Sequence, residues 1–507
     1  MTAPHYPVVI VGAGPTGVTS AVQLAQYGID TLVLDRWEDV YPQPRAVHLD
    51  DEVFRIVARL GLADAFSRIS RPGKGLRLLD RDMTVLAEFK RDSARGVHGF
   101  PQANMFDQPE FEHLLRMQAR RHDSVHLRGN SEVTGLLHDR GQVRIDFTDR
   151  TTGDRSTVRA DYVLGCDGAN SIVRSSIGSR MENLGFEQTW LVVDIATDAE
   201  LHHWEGVHQV CDPHRSATYM RIGDRRYRWE FRLRPDESAT DYSDLTALRP
   251  LLAPWVGDYR VTDLDLELVR LASYTFRARV ADRWRDRNVF LLGDAAHLTP
   301  PFVGQGMGAG LRDAANLAWK LAGVLNRTLP EGCLESYEHE RKPHAKKMIQ
   351  LAVGIGWAMT EGGDLGQFVR RRIAPVARWI PNLSTRVTDS ATPPLGASTF
   401  VRDDRMHRGI AGTLCPNTEI GDTGTRVDEV AQGRFLVITS IDPTPGQRRE
   451  IERRGAFVVL APTGSELGHW LSRGHANAAI VRPDGTVMAA GRSLANLHTM
   501  VPALCVP

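Results

Sequence analysis

A charge imbalance, long apolar runs and paired cysteines are all missing from this 507-residue chain. Lys plus Arg and Asp plus Glu each number 62, so the formal net charge is zero and no polyanionic partner, nucleic acid included, is indicated. No uninterrupted apolar stretch approaches the roughly 20 residues of a membrane helix. The opening MTAPHYPVVIVGAG has no basic n-region and runs straight into a strand-like segment, which argues against a signal peptide. Five cysteines, Cys166, Cys211, Cys333, Cys415 and Cys505, are scattered without CxxC or metal-like spacing. The expectation is a reduced, cytoplasmic protein with no structural metal. Internal repeats and low-complexity tracts are absent as well.

What is present begins at "PVVIVGAGPTGVTSAVQLAQYGIDTLVLDR", residues 7 to 36. Val8 to Val11 is apolar on both faces, as a buried parallel strand must be. Gly12, Gly14 and Gly17 then form GxGxxG at a strand-to-helix junction: one glycine for the tight turn, one for backbone approach to a pyrophosphate, one for helix–sheet packing. Asp35 ends the second strand 18 residues after Gly17, where an acid meets adenosine ribose hydroxyls, and Arg36 follows it. Dinucleotide binding is expected, with FAD and NAD(P) both open on this motif alone.

Two further segments carry a family resemblance. "YVLGCDGANSIVR" (162 to 174) and "VFLLGDAAHLTPPFVGQGMGAGLRDAANLAWKL" (289 to 321) resemble the second and third flavin motifs of single-component FAD-dependent aromatic hydroxylases. Asp167, Gly168, Ser171 and Arg174 match the first of these, and Gly293 and Asp294 the second. The branch that includes the 3-(3-hydroxyphenyl)propionate hydroxylases is the nearest, on the Asp50-Asp51-Glu52 run after Pro-Arg-Ala, on "VVDI" (192 to 195) and on "RDAANLAWKLA". The resemblance implies FAD as cofactor, NADH or NADPH and O2 as co-substrates, and hydroxylation of a small phenolic aromatic through a flavin C4a-hydroperoxide. Epoxidation, Baeyer-Villiger insertion and non-catalytic aromatic binding are the alternatives. It also implies that Asp294 takes the ribityl chain and that Arg45 and Gln108 reach the flavin or its phosphate chain.

In the third segment, Pro300 and Pro301 stiffen the backbone that, by the resemblance, would lie beside the flavin. Gly304, Gly306, Gly308 and Gly310 would permit close approach to a flat ring, and a helix starting near Met307 would aim free amides at the reduced flavin's negative edge. Abstraction of the phenol proton needs a base, for which His48 and Tyr274 are candidates. His297 reads as a loop-holding residue. No triad or metal set is evident.

The fold class expected is α/β. A Rossmann-like FAD-binding domain (1–180 and 270–380) is interleaved with a substrate-binding β-sheet domain (181–269), and a C-terminal thioredoxin-like domain follows (395–507). In "RRYRWEFRL" (225 to 233) Tyr227, Trp229, Phe231 and Leu233 alternate with Arg228, Glu230 and Arg232. That period predicts a strand with an aromatic face toward core or pocket and a charged face toward solvent. Pro343 predicts a break or kink in a helix, and 381–399 a linker. "VRPDG" resembles a thioredoxin-like final hairpin, but without CxxC that domain is expected to pack rather than exchange disulfides. A homodimer is compatible with all of this.

Overall fold

The structure, a computed structural model, describes residues 3–42, 46–201, 203–256, 265–360, 392–402, 409–421, 424–504 and 506. Its first sheet has the spatial order Arg285–Asp286, Val289–Leu291, Arg155–Gly165, His5–Val11, Thr31–Leu34, Val125–Arg128. His5–Val11 pairs in parallel with both its neighbours, and Arg155–Gly165 in parallel with Val289–Leu291. Strands covered on both faces must be apolar throughout, and Val8, Val9 and Ile10 are fully buried. Helix Pro15–Gln26 makes the crossover to the second strand and packs against helix Gly306–Leu325. Parallel pairing sends the turns after Val11, Gly165 and Leu291 out at one edge of the sheet. That edge is where α/β sheets bind ligands.

The second sheet runs His297–Leu298, Glu267–Ala281, Met181–Ala196, Arg226–Arg232, Ala217–Arg221, Val207–Val210, Gly75–Leu79, Val85–Lys90. It reaches past 181–269: the hairpin of residues 75–90 joins it, and Glu267–Ala281 runs across residue 270. On one face Leu191, Val193, Tyr227, Trp229 and Phe231 pack with Leu248, Leu252 and Trp255 of helix Leu245–Val256. The aromatic side of the alternating segment is therefore occupied by a helix. On its charged side, Arg228 and Glu230 line a cavity.

The C-terminal sheet has the order Phe457–Leu460, Leu436–Thr439, Ala478–Val481, Val487–Gly491, the first pair parallel and the others antiparallel. Buried ion pairs join it to the rest. Asp428 receives Arg55 and Arg59, and Arg482 reaches Glu340. Helix Glu335–Thr360 carries Pro343 within it instead of breaking there. Of the expected linker, 381–391 lies outside the described residues; Thr392 and Ser398 hydrogen-bond Glu52 and Glu340. Among the described residues no helix is long and apolar enough to cross a membrane.

Candidate functional site

The three glycines of the first turn divide by role. Gly12 has φ +102°, and a Cβ there would lie 2.4 Å from the Cys166 carbonyl oxygen; a Cβ on Gly17 would lie 2.0 Å from the Gly12 oxygen. Both are required by the fold itself. Gly14 has nothing within 4 Å of a Cβ position, and it begins helix Pro15–Gln26 without a side-chain cap. It opens, with Pro15 and Thr16, onto a cavity of about 630 Å3. Uncapped first-turn amides at such a place suit a phosphate.

Asp35 accepts from the Ala13 amide (2.5 Å) and the Trp37 amide (2.7 Å), so its carboxylate belts the glycine turn from behind. Arg36 is exposed, its guanidinium 5.6 Å from the Trp37 ring centre. Arg45 lies outside the described residues. Gln108 lines the cavity, accepts from the Ala46 amide and donates to Glu112.

At the second turn the Asp167 carboxylate accepts from the Ser171 hydroxyl and from the Ile172 and Val173 amides, capping helix Ile172–Ser176. Gly168, Ala169 and Asn170 line the cavity in its place. Arg174 donates to the carbonyls of Ala169 (2.8 Å) and Ala295 (3.0 Å), fastening the second turn to the third.

Gly293, with φ +59°, donates its amide to Asp313, which also receives His297 (2.7 Å) and Arg341 (2.8 Å). Burial would raise the Asp313 carboxyl, but those two partners hold it below the ordinary range. His297 thus braces the loop from the side away from the cavity. Asp294 is the carboxylate this turn presents to the cavity, and Pro301, Gly304 (φ +61°), Gly306 and Met307 continue the same wall. Gly308 and Gly310 have a different reason from the one expected. A Cβ on Gly308 would meet Val53 at 2.8 Å, and one on Gly310 would meet Thr16 at 2.2 Å, so both serve close helix packing.

The Asp50-Asp51-Glu52 run feeds this wall from behind. Buried Asp50 receives Gln305 and Arg312, each at 2.7 Å, and is pulled down to about 2 because Arg312 outweighs burial. The pairing fixes Gln305, which stands at the start of helix Gly306–Leu325.

His48 and Tyr274 both line the cavity. His48 Nε2 lies 3.0 Å from an Arg91 nitrogen. Guanidinium can only donate, so the Nε2 lone pair is engaged and the ring proton sits on Nδ1, beside Gly304. Burial, with Arg91, lowers His48 to about 4, so it is neutral at ordinary pH. Tyr274 stands nearer solvent, 38% exposed, its ring 4.9 Å from Phe276.

The opposite wall is the inner face of the second sheet, and here the expected solvated charges are buried. Strand register sets Arg270, Asp194 and Arg228 side by side across three strands. Arg228 forks onto Asp194 with distances of 2.6 and 2.8 Å; the two side chains are 1% and 0% exposed. Two residues along, Glu230 lies between Val192 and Thr218, and all three line the cavity. Tyr227 to Phe231 are buried on both faces because the aromatic side meets a helix and the charged side meets the cavity. Trp190 and Phe302, in a T-shaped contact at 6.1 Å, close the apolar part, with Met348 and Ile355 of helix Glu335–Thr360.

The cavity thus has a backbone-rich wall suited to a dinucleotide and a side-chain wall suited to an aromatic molecule. Comparison with known proteins agrees. The FAD binding domain family matches residues 5–352. A 3-(3-hydroxy-phenyl)propionate/3-hydroxycinnamic acid hydroxylase of Burkholderia cenocepacia (strain HI2424) is 36% identical over 461 residues, 91% of this chain and 79% of that protein. A protein of Rhodococcus jostii (strain RHA1) named probable NADH-specific resorcinol 4-hydroxylase is 33% identical over 514 residues, 98% and 94% of the two chains. The crystal structure of the flavin-dependent monooxygenase PieE with FAD and substrate superposes with a TM-score of 0.81 at 24% identity, over 98% of each chain. That last likeness concerns the fold.

Proposed function

The chain belongs to the FAD binding domain family, and from that premise we propose that it hydroxylates a phenolic aromatic. It is an FAD-dependent, NAD(P)H-consuming aromatic monooxygenase. The observation that carries the reading is one continuous cavity with both kinds of wall. The residues present fit the cofactor: open space over Gly14, an uncapped helix start beside it, and Asp294 on the same wall. FAD, when bound, supplies the redox chemistry with NAD(P)H and O2. The Gly14 turn would hold the pyrophosphate and Asp294 the ribityl hydroxyls. The helix start at Gly306 would stabilise negative charge, and Trp190 and Phe302 would exclude water from the aromatic ring. Asp35 and Asp167 support the reading as braces of the turns that present these groups.

A 3-hydroxyphenylpropionate-like phenol or a resorcinol-like one is the substrate class proposed, on the strength of the two relatives. The division into an FAD-binding unit, a sheet-bearing substrate unit and a C-terminal thioredoxin-like unit is proposed with it. Support for the last is its β-α-β-α-β-β order with one parallel and two antiparallel pairings. Its Cys415 thiol is buried and pushed up to about 12, which favours packing over redox exchange. A cytoplasmic location is proposed on the scattered cysteines.

The test follows NADH and NADPH oxidation with and without candidate phenols, recording oxygen uptake, peroxide and hydroxylated product. Phenol-stimulated oxidation that yields product with little peroxide is expected. Oxidation indifferent to every phenol would overturn the reading in favour of a flavoprotein that binds aromatics without turnover.

A further inference from the structure

We infer that Glu230 accepts the proton of the substrate's phenolic hydroxyl; the inference rests on the hydroxylase reading above. Glu230 sits mid-strand on the inner face of the second sheet, 7% exposed, and lines the cavity. The acids lining that cavity, among the described residues, are Glu230 and Asp294. Asp294 belongs to the opposite, cofactor-side wall, which leaves Glu230 as the carboxylate of the substrate side.

Its surroundings keep it available. The adjacent cation, Arg228, commits two nitrogens to Asp194, and the third stands 3.8 Å from the Glu230 carboxylate, beyond hydrogen-bonding distance. The charged groups that face Glu230 are Arg228 from its own strand, Asp194 from Met181–Ala196 and Arg270 from Glu267–Ala281. Thr218 and Gln209, from the strands on the other side, are neutral and hydrogen-bonded to each other. Burial, foremost, raises the Glu230 carboxyl above the ordinary range, which brings it nearer the operating pH of a base. By contrast the lone pair of neutral His48 is engaged by Arg91, and Tyr274 stands near solvent.

The step is a proton transfer. The phenol O–H bond breaks, the proton moves to a Glu230 oxygen, and the electron pair stays on the phenolate oxygen. The negative charge leaves the carboxylate and arises beside the Arg228 guanidinium, whose positive charge offsets it. Phenolate oxygen donates electron density into the ring and makes its ortho and para carbons better nucleophiles. Reprotonation after turnover returns the proton from Glu230 to the product oxygen.

The measurement uses holoenzyme and the variants Glu230→Gln and Glu230→Asp, with a phenol that stimulates the wild type. Glu230→Gln should retain FAD and reduce hydroxylated product per NAD(P)H at least tenfold, with peroxide rising to match. Wild-type coupling should fall as pH drops through the raised value of Glu230, and Glu230→Gln should lose that limb. Glu230→Asp should restore it in part. Wild-type coupling and an unchanged acid limb in an FAD-replete Glu230→Gln enzyme would overturn the assignment. A wild type that no phenol stimulates would instead sink the underlying hydroxylase reading, so the two failures are separable.

Discussion

The two walls of the cavity are built by opposite means. On the proposed cofactor side the chemistry is main chain: Gly14, Gly304 and Gly306 expose backbone, and the acids Asp35, Asp167 and Asp313 hold turns from behind. On the proposed substrate side the chemistry is side chain, with Arg228, Asp194 and Glu230 buried on a sheet face. A backbone wall recognises what every flavoenzyme of this kind shares, and its geometry constrains residue type tightly. A side-chain wall can change its ligand with single substitutions. On the proposed function, specificity is concentrated on the sheet.

The largest effect that sharpens this contrast lies within a single turn. Gly12→Ala must push a Cβ into the Cys166 carbonyl at a left-handed backbone position and should cost about 3 kcal/mol or more, seen as a lowered Tm of the apoprotein. Gly14→Ala meets no protein atom and should leave apoprotein stability within about 1 kcal/mol of wild type. Its effect should show as weakened FAD retention on gel filtration. Equal destabilisation by both would break the division between fold-forming and cofactor-facing glycines.

Next in size comes the sheet wall. Asp194→Asn removes the carboxylate that forks onto the buried Arg228 cation and should destabilise by about 3–5 kcal/mol, with urea unfolding as the measure. Adding Arg228→Met should recover most of that loss, because the pair costs desolvation as well as gaining attraction. No recovery would mean that the arginine has some other structural duty.

Two buried glutamates then give opposite pH signatures. Burial pushes Glu340 up, yet Arg482 and Lys320 overcome it and bring the group from its ordinary 4.5 to about 2. A depressed folded-state value means that the carboxylate contributes stability above about pH 4.5, and that the contribution fades as pH falls toward 2. The stability gap between wild type and Glu340→Gln should therefore narrow across that window. Glu230 is raised, so the folded state prefers it protonated and ionisation at higher pH costs stability. Glu230→Gln should be no less stable than wild type at neutral pH, and relatively more so as pH rises. Parallel pH profiles for the two variants would contradict the contrast.

The contrast also governs what could be read from the sequence. Gly12, Gly17, Gly293 and the Gly-Asp pair were legible because a forced backbone geometry leaves few residue choices. The alternation in Arg226–Arg232 showed two faces and correctly marked a strand, but period alone does not tell which face meets water. The deciding partners are remote: Asp194 is 34 residues from Arg228, and Arg312 is 262 from Asp50. A strand with aromatic and charged sides looks the same whether a helix or solvent covers it. Gly308 and Gly310 misled for a related reason, since a glycine records close approach but not of what. Pro343 sits inside a helix that packing sustains against propensity.

The smallest expected effect concerns Tyr274. It lies on the cavity face, where register sets it opposite Trp190, yet it is 38% exposed and packs by ring contact with Phe276. Tyr274→Phe keeps that contact and removes only the hydroxyl. If the proton goes to Glu230, the substitution should leave product per NAD(P)H within about threefold of wild type, a barrier change of about 0.7 kcal/mol, and should not move the acid limb of the pH profile. A loss comparable to that of Glu230→Gln would transfer the proton path to the rim of the cavity. The buried sheet wall would then select substrates by charge and shape, while the chemistry of the hydroxyl would lie nearer solvent, where bulk water shares the proton.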